Sequence, residues 1–557
     1  MKKILLIVFL FVYVHLSGQQ LAKPSDVQYK WQEQGRIMFV HFGVATWLGK
    51  EYDETGEFDI SRINPTKLDT DQWCRVAKSW GAKEIIFVAK HAGSFCWWPT
   101  YTTEYCVRNI PWKNGKGDVI KDLANSCKKA GLNLGIYIYP GDIKWGAGLG
   151  SGGITKDPSK QEAYNKIFRQ QLTEVLANYG EMLEVWFDGS CKVPVSDILQ
   201  KYASKAVIFQ GSDATIRWPG TESGILHYPV WNSLKGEVLK SGVATQYDDD
   251  PDGDVWAPLE ADVTLYNHNW FWSPKNEAKR RTVDELMEIY YKSVGHGGTL
   301  LLNSNPDTTG LIPAGDVKRY AEFGAEINRR FNRPLAEVKN KTSNEVELVL
   351  PKPTKINHII LKEDYRQGHR IRKYELWGLI KNKWEKLTTG SSVGVTKIDY
   401  FDDVEMTAIK LKVTENKGAP LIRSMAAYYV TYFELPKTEK EAKEYTILQE
   451  WDTKDFVNGK GQMSIDLGKF ITAPGQYEVI FTNAVSVTGM YVEKAELIFD
   501  KDPNTLQEFI QRKRKENVFF INRTGQIDEG TSSILNVVMS SDNRSFQNKG
   551  FVKIRKR

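Results

Sequence analysis

The sequence predicts an α/β fold: a (β/α)8-like barrel, with room for one irregular strand, followed by two β-sandwich domains. Three observations predict it. The chain has 557 residues, too many for one ordinary domain. From Arg36 to about Phe331, short apolar runs alternate with amphipathic segments. After Pro334 the pattern gives way to short β-rich segments separated by turn residues.

The apolar runs are Arg36–Gly43, Glu84–His91, Asn133–Pro140, Met182–Gly189, Ala206–Gly211, Val255–Asp262 and Thr299–Asn305. They are rich in Ile, Val, Leu and Phe without strict alternation, as strands buried on both faces must be. Between them lie predicted helices at Asp71–Trp80, Asp118–Ala130, Ser159–Tyr179 and Thr282–Val294, with Ala314–Arg330 after the last run. Several begin near Asp, Ser or Thr, and three stop at Gly81, Gly131 or Gly180, the expected caps. Repeated β-α units give a barrel or a doubly wound sheet. His41, His91, Tyr137, Asp188, Gln210 and Asp262 gather at the C-terminal ends of the runs, where a barrel builds its site, so the barrel is preferred. The strand count is weakest at Ser223–Tyr247.

Past the barrel, strands are expected at Glu345–Leu350, Asn357–Leu361, Tyr374–Leu379, Ala408–Val413 and Tyr428–Leu435. A Lys/Glu-rich link at Lys437–Glu444 leads to a second set: Met463–Leu467, Gly475–Thr482, Glu496–Phe499, Asn517–Ile521 and Ile534–Met539. The expected divisions are 1–18, 19–334 for the barrel, and 335–437 and 438–557 for the sandwiches. The sandwiches either buttress the barrel or bind carbohydrate, and no motif decides.

At the N-terminus Met-Lys-Lys precedes an uncharged run, Ile4 to Val14, and then Leu16-Ser17-Gly18. This reads as a secretory signal cut after Gly18, so a secreted or periplasmic protein is expected. The run falls short of the ~20 residues that span a bilayer, so no membrane span is expected. Net charge is only +6, which argues against a nucleic-acid partner. The basic stretches Arg512–Lys515 and Lys553–Arg557 read as solvated surface. Five cysteines, an odd number with no C-x-x-C pair, exclude a dense disulfide scaffold. The eight histidines are scattered, so neither metal nor cofactor is expected. Seventeen Trp suit either core packing or stacking on sugar rings.

Two motifs mislead. Gly148–Gly153 satisfies G-x-G-x-x-G, yet it neither follows a strand directly nor opens a helix, and it reads as a mobile loop. Asp248–Gly253 imitates the start of a calcium loop, but its twelfth position is Leu259 and Glu260 comes one place late. The informative hexapeptide is Glu184-Val185-Trp186-Phe187-Asp188-Gly189. An apolar run delivers one carboxylate at a strand end, where burial without a partner is costly. A structural cap and a catalytic group explain it equally well.

The motifs Met38–Gly43, Lys90-His91, Phe95–Pro99, Gly117-Asp118-Val119 and Trp186–Gly189 resemble, in order and spacing, those of α-L-fucosidases of glycoside hydrolase family 29. Asn64–Asp69, Gln72-Trp73 and Leu300–Asn303 extend the likeness to roughly residues 30–330. The resemblance implies a retaining hydrolase acting on fucosylated oligosaccharides or glycoconjugates, with Asp188 as nucleophile. It places His41, Glu51, His91, Tyr137 and Trp186 in the sugar pocket. Arg217–Gly224 resembles a stretch of the subgroup acting on α1,3/1,4-fucosyl linkages. That stretch makes Glu222 the acid/base and Arg217 a substrate-binding residue, with Glu260 of Trp256–Asp262 the competitor for Glu222's role.

One position departs from the pattern. Lys90-His91-Ala92-Gly93-Ser94-Phe95 stands where the family usually reads Lys-His-His-Asp-Gly-Phe. A lost imidazole removes a hydrogen-bond partner worth about 0.5–1.5 kcal/mol. The expected activity is therefore an exo-α-L-fucosidase, with another α-L-glycoside such as an α-L-galactoside, or a glycan-binding protein without turnover, as alternatives.

Overall fold

The structure, a computed structural model, describes residues 21–432, 446–473, 475–482, 490–499, 517–523, 533–541 and 549–556. The signal segment 1–18, the link Lys437–Glu444 and the basic run Arg512–Lys515 lie outside the described residues.

Seven parallel strands form the first sheet: β1 Arg36–Val40, β2 Glu84–Lys90, β3 Asn133–Ile138, β4 Glu184–Trp186, β5 Val207–Phe209, β6 Glu260–Thr264 and β7 Thr299–Ser304. Their order is β5-β4-β3-β2-β1-β7-β6. The gap between β5 and β6 is closed by an irregular stretch. Ile216 bridges Phe209 on one side, and Arg217 bridges Leu259 on the other. Arg217 N–H donates to Pro258 O at 2.8 Å, and Arg217 O accepts from Glu260 N at 2.9 Å. The irregular place is thus Ile216-Arg217, a few residues before the Ser223–Tyr247 region expected to hold it.

One predicted strand is split. Val255–Trp256 pairs antiparallel with Ser233–Leu234, whereas β6 starts only at Glu260. Pro258 lies between them and cannot donate to a ladder, so the apolar run cannot continue as one strand. The predicted helices form at Thr70–Ser79, Val119–Ala130, Gln161–Asn178, Val283–Lys292 and Ala314–Phe331. Asp69 and Asp118 cap the first two, each accepting a backbone N–H of the first turn. Several family motifs are therefore architectural. Gln72 exchanges hydrogen bonds with the backbone of Ile312, and Trp73 donates to Gly310 O, bolting that helix to the loop after β7.

The helix α1, Asp26–Gln32, was not expected and plugs the barrel floor. Gln28 donates to Thr215 O and Trp256 O, while Trp31 Nε1 donates to Glu184 Oε2 at 2.6 Å. Glu84, Glu184 and Glu260, the first residues of β2, β4 and β6, meet there fully buried. Gly135 on β3 makes the room: a Cβ there would sit 2.7 Å from Glu84 Oε1. Burial drives the cluster toward its neutral form, and repulsion from neighbouring carboxylates adds to it at Glu84 and Glu184. Glu84 is pushed up to about 8 and Glu260 to about 7, with Glu184 well above the ordinary carboxylate range. Gln34 and Lys30 pull Glu84 back, and Trp31 does so for Glu184.

This floor has a stability signature. Above the unfolded carboxylate value of about 4.3, the unfolded chain releases protons that the folded cluster keeps. Stability therefore falls as pH rises through roughly 5 to 8 and levels off once the folded groups ionise. Glu84→Gln is expected to flatten that fall in thermal unfolding measured across the range. An unchanged slope would remove Glu84 from the account.

The next unit is a single six-stranded antiparallel sheet over residues 336–428. Its strands Glu345–Glu363 and Lys397–Asn416 pair along their length with register shifts at Val349/Thr354 and Ile356/His358. The C-terminal half of the first pairs onward with Ile422–Tyr428, and the C-terminal half of the second pairs with Ile371–Ile380. Two strands thus turn a corner and serve both layers of the sandwich. This unit is fused to the barrel, since Ile360, Ile398, Ala426 and Tyr428 belong to the barrel's own outer core. Beyond it, among the described residues, a four-stranded and a three-stranded antiparallel sheet face each other across one core. Lys549 there forms an ion pair with Asp248 of the barrel.

Candidate active site

A cavity of about 400 Å³ opens at the C-terminal ends of the strands. All six polar residues that the sequence gathers at strand ends line it: His41, His91, Tyr137, Asp188, Gln210 and Asp262. Glu51, Trp186 and Glu222 join them.

Asp188 leaves the end of β4 two residues after Trp186 and accepts Tyr137 Oη–H at 2.9 Å. Burial raises its pKa from the ordinary value, and the Tyr137 hydroxyl pulls it back. Trp186 is sandwiched in the wall, flat on Phe209 with centroids 3.9 Å apart and stacked on Tyr137 at 5.3 Å. His41 and His91 are both held neutral, His41 by burial and then the charge of His91, His91 by burial to about 4. The tautomer of His41 follows from its neighbours. Asn303 gives its Nδ2 to Trp270 O, so its Oδ1 faces His41 Nδ1 at 2.7 Å and must accept. That leaves Nε2 of His41 as an acceptor for a neutral hydroxyl. Glu51 is fixed by Asn269 Nδ2 and the Trp270 backbone N–H, and burial raises its pKa.

Glu222 accepts from Trp270 Nε1 at 3.3 Å. The carboxyl that feels its charge is Asp262. Burial and then Glu222 push Asp262 well above its ordinary value, against the pull of Trp218 Nε1 at 2.7 Å. One cavity therefore holds Asp188 and Glu222, together with an Asp262 whose pKa is raised well above the ordinary value.

Two expected site residues lie elsewhere. Arg217 is buried, and its guanidinium is spent on Ala257 O, Thr245 O, Trp231 O and Asp249, all within 2.9 Å. It clamps the barrel's irregular closure and does not line the cavity. Glu260 sits beneath Trp186, accepting its indole N–H at 2.8 Å, and is fully buried. Unlike Glu222, it is not among the residues lining the cavity. Of the aromatics in the long loops, Trp218 lines the cavity. Trp145 packs on Tyr164, Tyr228 donates to Ser392 O, and Trp231 stands edge-on to His369. The Gly148–Gly153 loop borders the cavity through Leu149 and Gly150 and is tied down by Gly150 N–H to Tyr139 Oη at 2.7 Å. The carboxylates of the calcium-like run turn to protein donors: Asp249 to Arg217 and Trp231 N, Asp250 to Asp252 N.

The sequence reading missed Tyr52, Tyr139, His268 and Trp270, which also line the cavity. Trp270 had a signal, the cluster Trp270-Phe271-Trp272 three polar residues after the apolar run that ends at Tyr266. Gln210 and His268 adopt positive φ, 62° and 69°, a conformation rare for residues with a side chain and frequent at working sites.

A barrel with two carboxylates and neutral hydrogen-bond partners among aromatic walls, at its strand C-termini, defines a glycoside hydrolase. Residues 12–330 match the family described as Alpha-L-fucosidase. Alpha-L-fucosidase 1 of Arabidopsis thaliana is 31% identical over 457 residues, covering 73% of this chain and 88% of that protein. A putative α-L-fucosidase of Bacteroides thetaiotaomicron superposes with TM-score 0.69 at 34% identity, over 74% of this chain and all of that one. A Ruminococcus gnavus family 29 fucosidase, in a mutant form solved with fucose, gives 0.66 at 25% identity, over 74% and 96% of the two chains. The chain belongs to the α-L-fucosidase family.

Proposed function

We propose that the protein is an exported, retaining exo-α-L-fucosidase that releases terminal fucose, α1,3- or α1,4-linked, from branched glycans. Asp188 attacks the anomeric carbon, and Glu222 protonates the departing oxygen and then activates water. The observation that carries this reading is the shared cavity, in which Asp188 and Glu222 each accept a hydrogen bond from an aromatic side chain. The neutral His41 and His91 suit an uncharged sugar. The closed floor of Phe39, Tyr137 and Trp186 suits a chain end, hence exo action. The linkage rests on the Arg217–Gly224 stretch, and export on the signal segment.

Ala92 favours a second reading. It lines an adjoining space of about 230 Å³ that shares Tyr52 and Leu149 with the main cavity. L-Galactose differs from L-fucose by one hydroxyl on C6, which such room accommodates. The test is incubation with aryl α-L-fucoside, aryl α-L-galactoside and Lewis-type oligosaccharides, with product identification by NMR. Fucose released with retained configuration, faster from the branched glycans, is the expected result. Ala92→His is expected to improve the simple fucoside. Faster galactoside cleavage would transfer the assignment to an α-L-galactosidase, and no turnover on any of them would leave a binding protein.

A further inference from the structure

Flat stacking fixes the tilt of an aromatic ring but not its rotation within its own plane. Trp186 is stacked between Phe209 and Tyr137, so its in-plane orientation needs a separate restraint. Glu260 Oε2 supplies it by accepting the indole N–H at 2.8 Å. Tyr137, resting on that ring, in turn donates to Asp188 Oδ2. Glu260 is itself held from below. Its Oε1 has no N–H or O–H donor, and Glu184, gripped by Trp31, carries an equally unmatched Oε1. A proton retained by one of the two carboxyls would satisfy both unmatched oxygens, and burial favours keeping it.

We propose that Glu260 is a positioning residue of the reaction: from under the floor it sets the rotation of Trp186 and, through stacked Tyr137, the orientation of Asp188. The proposal rests on Asp188 being the nucleophile. The charged groups facing Glu260 are Glu184 and Glu84 across the floor and Asp262 above, with Lys30 acting on Glu84 from outside.

The test compares Glu260→Met, which keeps volume but deletes the acceptor, with Glu260→Gln, which retains one. On an aryl α-L-fucoside, Glu260→Met is expected to lose about tenfold or more in kcat with KM little changed, and Glu260→Gln to stay within about threefold. A role in packing alone would not move the acid limb of the kcat/KM profile. Here that limb is expected to shift to higher pH in Glu260→Met, because a loosened Tyr137 no longer lowers the pKa of Asp188. If Glu260→Met does not fold, Trp186→Phe carries the test by deleting the donor and keeping a ring. Its kcat loss and limb shift are expected to match, and the double substitution to lose no more than the larger single loss. Wild-type kcat with an unmoved limb, in either variant, overturns the proposal. Full activity of Asp188→Ala would instead overturn the assignment on which it rests.

Discussion

Asp188→Ala is expected to lose at least about a thousandfold in turnover on any α-L-fucoside while keeping the wild-type fold and unfolding temperature. The carboxylate makes one hydrogen bond, from Tyr137, and its removal leaves no buried charge unpaired. The loss should therefore be chemical rather than structural. Added azide can occupy the vacated volume as an external nucleophile. It should partly restore turnover and give a glycosyl azide of inverted configuration, identified by NMR. Near-normal turnover without azide would remove Asp188 from the nucleophile's role.

Glu222→Ala is expected to show a loss that scales with the leaving group. Natural linkages depart as poor alkoxide leaving groups and need a proton, so cleavage of Lewis-type glycans should fall by about 10²–10⁴. An activated aryl fucoside departs without one and should suffer much less in the first, glycosylation step. Measuring both substrates against Glu260→Ala separates the two acids. Glu260 lies under Trp186, so its loss should be similar for both leaving groups. Leaving-group dependence in Glu260→Ala alone would contradict that placement.

The strand ends were legible because burial on both faces writes itself as unbroken Ile/Val/Leu/Phe runs, and punctuation marks where each run delivers a polar residue. That logic places His41, His91, Tyr137, Asp188, Gln210 and Asp262 around one cavity. It fails where polarity is spent inward. Arg217 and Glu260 sit in motifs as polar and aromatic as those of the site, and only tertiary packing shows that one clamps backbone carbonyls and the other an indole. His268 and Trp270 come from a loop whose shape has no sequence period. The division of Val255–Asp262 was written in Pro258, a residue that an apolar-run reading passes over. The plug helix α1 has a capping box at Ser25 and Gln28, but at seven residues it is too short for a periodic signal.

The barrel's closure at Ile216-Arg217 bears on how the enzyme breathes. Elsewhere the wall is held by ladders, but here isolated bridges and the Arg217 clamp join β5 to β6. Local opening starts where ladder bonds are fewest, so backbone amides at this seam are expected to exchange before those of the laddered strands. Glu222 lies five residues beyond Arg217, whereas Asp188 follows the fully laddered β4. Asp188 thus follows a strand laddered on both sides, whereas Glu222 sits in a stretch joined to its neighbours by isolated bridges. On the roles proposed above, substrate would enter and product leave by motion of the Glu222 flank, with Asp188 staying in register.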